Sequence, residues 1–238
     1  MNASTRSLLD EARVLVVAGI TTGAVVAGLG SRLAMYVLRL TSPESVRGVT
    51  SDDGFTIGRV TLSGTYSLLV VGAAVGLIGA GAYRLVAPWL LGPVWFRRLT
   101  TGLGSAAVVG GMLVHPDGVD FRLLKPMWLA IGLFVLLPGL FGIAIGPVLD
   151  AVKAPTSWTR KGRRAWLLPV ALLASFPMLA PLLAVEVAVA AIMLQAAHQA
   201  QVQSIGTKPS YRFAVRAVWL GIATLGLGGL VGDINALT

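Results

Sequence analysis

Cysteine is absent from the 238 residues, and charge is scarce, with Asp, Glu, Lys and Arg making up 12%. Without a thiol there is no disulfide, thiolate nucleophile, zinc–thiolate site or iron–sulfur cluster. Nothing is left to report on a redox compartment. Histidine occurs only at His115 and His198. No serine stands in a Gly-x-Ser-x-Gly elbow, so the common hydrolase constellation is missing too. A soluble domain carries about 25% charged residues. At 55% hydrophobic and a mean hydropathy of +0.81, this chain holds more apolar surface than one water-exposed core of its length can hide. Lipid is the remaining solvent, and there the backbone must satisfy itself in helices or a closed barrel. Barrel strands would read as short alternating segments. The apolar runs here are long and continuous, which selects helices. The expected fold is an all-α, polytopic transmembrane bundle, a single integral membrane domain over residues 1–238.

Six apolar segments stand out, at 13–38, 65–86, 100–114, 126–150, 165–203 and 212–232. A helix crosses the hydrocarbon core in about 20 residues. The first run is longer than the 7–15 or so residues of a signal peptide, so it reads as an uncleaved span. The fifth would extend nearly 58 Å at about 1.5 Å per residue, twice the core thickness. Pro177 and Pro181 lie within it. Each removes a backbone donor and clashes with the preceding turn, so the pair can break the run into a helical hairpin. That gives seven spans, or six if 165–203 is one kinked helix.

Loop charges choose between the two counts, because cytoplasmic loops retain Lys and Arg. With seven spans and the N-terminus inside, 13 of the 19 basic residues fall on the inner side, five fall outside and Arg32 lies within a span. With six spans the cluster Lys208, Arg212 and Arg216 moves outward and the contrast drops to 10 against 8. Seven spans, with a cytoplasmic N-terminus and an external C-terminus in the cell membrane, is the better fit. Trp89, Trp95, Trp158 and Trp166 flank the inner connections, the interfacial placement tryptophan favours. The stretch Ala87–Phe96, with Pro88 and Pro93, reads as an irregular segment along the inner surface.

Small residues at four-residue spacing let helix backbones approach closely in lipid. Such ridges run through Gly19, Gly23, Ala27 and Ser31, through Gly72, Gly76 and Ala80, and through Gly102, Ala106 and Gly110. Gly142–Gly146 and Gly228–Gly232 add further pairs. Gly28-Leu29-Gly30 and Gly226-Leu227-Gly228-Gly229 lie inside spans, without the strand that a dinucleotide loop needs before it.

Two constellations are candidates for chemistry. Ionisable groups inside a membrane are costly and functional by default. Arg32 and Glu186 both fall in the outer third of the expected bundle with opposite charge, which makes them a candidate intramembrane ion pair. Its role is structural registration or, alternatively, a proton, ion or headgroup site. On the outer face, Asp52 and Asp53 of one loop face His115, Asp117 and Asp120 of another. Carboxylates with imidazole suit hard or borderline cations. Asp-Gly and Pro-Asp-Gly are also ordinary turn sequences, and no recognised metal spacing is present. No metal, cofactor or catalytic residue is assigned.

The formal net charge is +9, yet the basic residues sit in short loops and form no basic face with stacking aromatics. Nucleic acid is therefore not an expected partner. The expected partners are the bilayer, anionic lipid headgroups at the cytoplasmic basic loops, and a membrane protein partner. Three functions fit: a non-catalytic membrane component or accessory subunit, a small permease or channel with an outward-facing polar site, and a membrane-embedded enzyme acting on lipid or isoprenoid at the outer face. Sparse intramembrane polarity favours the first.

Overall fold

A computed structural model describes residues 3–46, 48–49, 61–115, 121, 123–157, 188 and 209–237. Every regular element among them is helical. The first rod comprises α1 (Ala3–Thr22), a π-helical segment (Gly23–Leu29) and α2 (Gly30–Thr41). α3 (Leu62–Val86), α4 (Val94–Leu113), α5 (Met127–Lys153) and α6 (Pro209–Leu237) follow. Four stretches are long and apolar enough to cross a membrane: Asp10–Thr41, Leu62–Trp89, Met127–Lys153 and Arg216–Leu237. α4 has 20 residues, but Arg97 and Arg98 occupy its first turns and shorten its apolar part. The 165–203 segment lies outside the described residues apart from Ala188.

Local chemistry fixes the helix ends. Thr61 caps α3, its hydroxyl accepting from the Gly64 N–H at 3.0 Å, which satisfies one of the orphan donors of the first turn. Pro93 and Pro126, both extended, precede α4 and α5. Ala87–Trp89 is a single 3₁₀ turn, and Gly92 takes φ +82°. The stretch around Trp89 is thus irregular as expected, but α4 already begins at Val94, so Trp95 and Phe96 are helical.

α1 packs on α3 and α5, α5 on α4, and α4 on α6. Glycine sets these seams. A Cβ on Gly76 would sit 2.6 Å from Gly23 Cα, and one on Gly19 would sit 2.8 Å from the Gly76 carbonyl oxygen. The expected ridge continues differently beyond Gly23. A π turn spends five residues where an α turn uses four, so Gly28, not Ala27, meets α3, at Leu69 Cα and the Leu68 carbonyl. The seam therefore runs Gly19, Gly23, Gly28 and on to Arg32. Between α4 and α5 the sequence ridges hold: a Cβ on Gly142 would lie 2.7 Å from the Thr101 carbonyl, and Gly110 faces Val135. On α6 they do not. Gly226 meets Ala107 and Val108 of α4, while Gly228 and Gly232 have no described neighbour within 4 Å of an added Cβ.

Chain direction follows from these contacts. Gly226 lies against Ala107, and Leu230 packs with Val114, Phe121, Val46 and Leu38. The start of α6 touches the turn at Ala87–Trp89. α6 is therefore parallel to α4, and α5 ends at the same end of the bundle where α6 begins.

Candidate functional site

At the N-terminal end of the bundle, three charged residues converge. The Arg84 Nε donates to Glu11 Oε1 at 2.5 Å, and Lys153 Nζ donates to the same oxygen at 3.3 Å. Each charge sits at the terminus of a different apolar helix: α1, α3 or α5. The knot pins three rods at one level. Arg13 and Asp10 pair one turn apart at 3.3 Å beside it. Sequence reading placed these residues on the inner side without joining them. The available signal was an acidic pair, Asp10 and Glu11, at the same end as two basic helix termini.

At the opposite end, Phe121 and Val114 are fully buried with Val46, Leu38 and Leu124. Ser42 staples two connections here: its hydroxyl accepts from the Lys125 N–H at 2.9 Å and donates to the Lys125 carbonyl at 3.3 Å. His115 belongs to this end, its Nδ1 3.1 Å from the Leu113 carbonyl and its ring edge-on to Phe121. Asp52, Asp53, Asp117 and Asp120 lie outside the described residues, as does Glu186. Among the described residues no group of three His, Cys, Asp or Glu could hold a metal ion. Neither candidate constellation is assembled by the described part of the chain.

The feature the sequence did not reveal is a furrow. α3 and α4 are consecutive in the chain but form no packed seam; α3 leans on the first rod and α4 on α5. The gap between them is a cavity of about 1550 Å³. α2 and α3 make one wall, α4 and α6 the other, and Leu137, Pro138, Phe141 and Ile145 of α5 make the floor. On α3 the lining runs from Ser67 to Val86, about 28 Å along the axis at 1.5 Å per residue. Leu, Val, Ile and Phe dominate it, with Trp89 and Trp219 toward the N-terminal end. Thr100 and Thr101 hydroxyls point to carbonyls of their own helix, at Phe96 and Arg97, so they offer a ligand little.

Charge in the furrow is of one sign. Arg32 and Arg39 enter from α2 and Arg216 from α6, with no carboxylate among the described lining residues. Arg32 Nη2 reaches the Thr61 carbonyl at 3.4 Å. The Nε atoms of Arg32 and Arg216 are buried without a hydrogen-bond partner among the described residues. A guanidinium can bind a carboxylate or phosphate with two parallel N–H bonds. The arrangement can therefore bind an apolar body with an acidic head.

No family model, curated protein or solved structure gives a significant match to this chain.

Proposed function

We propose that the chain is an integral membrane protein of seven spans, N-terminus inside and C-terminus outside, that holds lipid hydrocarbon in its furrow as a non-catalytic component of the membrane. The furrow carries this reading. Small-molecule pockets enclose about 300–1,000 Å³, and this cavity holds about 1550 Å³. Its run of about 28 Å along α3 matches a hydrocarbon core of about 30 Å. A hydrophilic solute would need a continuous polar path; here the threonines are bonded to their own helix, and Ser31, Ser67, Ser105, Tyr36 and Tyr83 are set singly among apolar lining residues. The permease reading is weaker for that reason.

Span number and direction rest on separate arguments. α5 ends and α6 begins at one end of the bundle, so the chain between them crosses an even number of times. A 39-residue apolar segment broken at Pro177 and Pro181 suits two crossings, which supports seven spans. The excess of Lys and Arg on that end supports its being cytoplasmic, where the basic loops would attract anionic headgroups.

Brominated acyl chains test the holding role, because bromine quenches tryptophan on contact. Two single-tryptophan proteins are compared, one retaining Trp219 in the furrow and one retaining Trp128, which is 71% exposed on the bundle exterior. After loading with brominated lipid and dilution into plain detergent, Trp128 should recover within the mixing time and Trp219 should stay quenched for much longer. Equal recovery of the two would mean ordinary annular contact and no held lipid.

A further inference from the structure

The α2 wall of the furrow presents two guanidiniums in line. Arg32 and Arg39 both line the cavity, with Tyr36 between them on the same face. Seven residues are two helical turns, so the two arginines start about 10 Å apart along the axis, close enough for long side chains to close on one group. The π turn puts Arg32 there. Along an unbroken α-helix the four-residue ridge from Gly19 would bring Ser31 to this position; the inserted residue brings Arg32 to the seam below Thr61.

Among the described residues these arginines have no anion. The 3.4 Å contact to the Thr61 carbonyl is longer than the 2.7–3.2 Å or so of a full hydrogen bond. Arg32 Nε is buried with no acceptor. Neither Arg32 nor Arg39 forms an ion pair among the described residues. A charged donor held in an apolar wall without a partner is unfavourable, and a phosphate would satisfy it in the geometry guanidinium prefers. Arg216 lies elsewhere. Counting back from the Gly226–Gly111 contact puts it level with Thr101, toward the N-terminal end.

We infer that the α2 end of the furrow is the headgroup seat of an anionic phospholipid, its phosphate between Arg32 and Arg39 and its chains running down α3 toward the protein's N-terminal end. The inference rests on the lipid-holding role proposed above and adds headgroup charge and orientation. Under the N-inside arrangement the bound lipid belongs to the outer leaflet.

The test equilibrates the full-length protein in micelles with equal amounts of palmitoyl-oleoyl phosphatidylglycerol and phosphatidylcholine, then counts retained lipids by mass spectrometry. Both lipids carry the phosphodiester, so the ratio reads net headgroup charge: no carboxylate among the described lining residues receives a choline cation, and wild type should retain phosphatidylglycerol over phosphatidylcholine by roughly tenfold. Arg39→Gln and Arg32→Gln should each cut that ratio several-fold, and the double variant should bring it to one, with retained phosphatidylcholine falling less than retained phosphatidylglycerol. If Arg32→Gln does not give a monodisperse helical protein, Arg39→Gln in the last turn of α2 decides alone. Equal retention of both lipids by wild type overturns the headgroup seat and leaves the furrow reading intact. Retention of neither lipid overturns the furrow reading itself. Loss of the ratio in Arg216→Gln, with the α2 variants unaffected, places the headgroup at the other end and overturns the orientation.

Discussion

Replacing Gly76 by alanine tests how the first rod and α3 are held. The added Cβ would stand 2.6 Å from Gly23 Cα and 2.9 Å from Gly23 N, whereas carbon pairs rest at about 3.5–4.0 Å. The obstructing atoms are backbone, so no rotamer change relieves the contact and the helices must separate by about 1 Å to restore ordinary contact. Overpacking of this kind costs about 1–3 kcal/mol. The better helix propensity of alanine returns up to about 1 kcal/mol. Gly132→Ala supplies the control, because no described atom lies within 4 Å of its Cβ; only the propensity gain applies there. At roughly 2–4 °C per kcal/mol for a chain of this size, and with the propensity gain common to both variants, Gly76→Ala should melt about 2–12 °C below Gly132→Ala, which should melt at or slightly above wild type. Thermal loss of helical circular dichroism in detergent reads both. Equal melting of the two variants would refute the close-approach argument for this seam.

Other substitutions follow the same logic. Glu11→Gln keeps an acceptor oxygen but removes the negative charge shared by Arg84 and Lys153, and should destabilise by about 1 kcal/mol, the difference between hydrogen bonds to charged and to neutral groups. A double-mutant cycle of Glu11→Gln with Arg84→Gln should show a coupling of at least about 0.5 kcal/mol, and additivity would contradict the contact. Thr61→Ala should cost about 1 kcal/mol through loss of the α3 cap while Thr61→Ser costs little, measured by the same melting. Gly226→Leu should disrupt α6 against α4, where a Cβ already lies 2.9 Å from the Ala107 carbonyl, whereas Gly228→Leu should leave cysteine crosslinking between α4 and α6 unchanged.

Much of the fold was legible because lipid imposes simple rules on a chain. The segment expected at 126–150 is α5 over Met127–Lys153, and that at 65–86 is α3 over Leu62–Val86. Gly142 of the expected Gly142–Gly146 pair meets Thr101 and Gly102 of α4, while Gly146 meets Tyr83 of α3 instead. The π segment was not legible, because Ala27 and Ser31 continue the four-residue spacing and disguise the extra residue. Only the fit of Gly28 against Leu69 reveals the shift. On α6, Gly228 and Gly232 look like a packing pair, but Ala107 and Gly111 of α4 select Gly226 instead. Glu11, Arg84 and Lys153 are separated by 73 and 142 residues, too far for any local pattern to connect them. The furrow is a missing seam between two neighbouring helices, and no residue type announces a contact that is not made. The acids of 52–53 and 117–120 and the partner expected for Arg32, Glu186, lie outside the described residues, so the pairing of Arg32 with Glu186 stands as the alternative to a lipid phosphate at Arg32. Charge reversal at both positions should restore folding that either reversal alone impairs.

The proposed direction of the bundle and the proposed pair of crossings between α5 and α6 can be tested in one experiment, because the chain contains no cysteine. Ser157→Cys, Ala180→Cys and Thr207→Cys are expressed singly and exposed to a membrane-impermeant thiol reagent in intact cells. The account predicts labelling at Ala180→Cys alone, with the other two reacting only after the membrane is opened. Protection at Ala180→Cys with labelling at Thr207→Cys would contradict it, leaving six spans and an α6 of opposite direction.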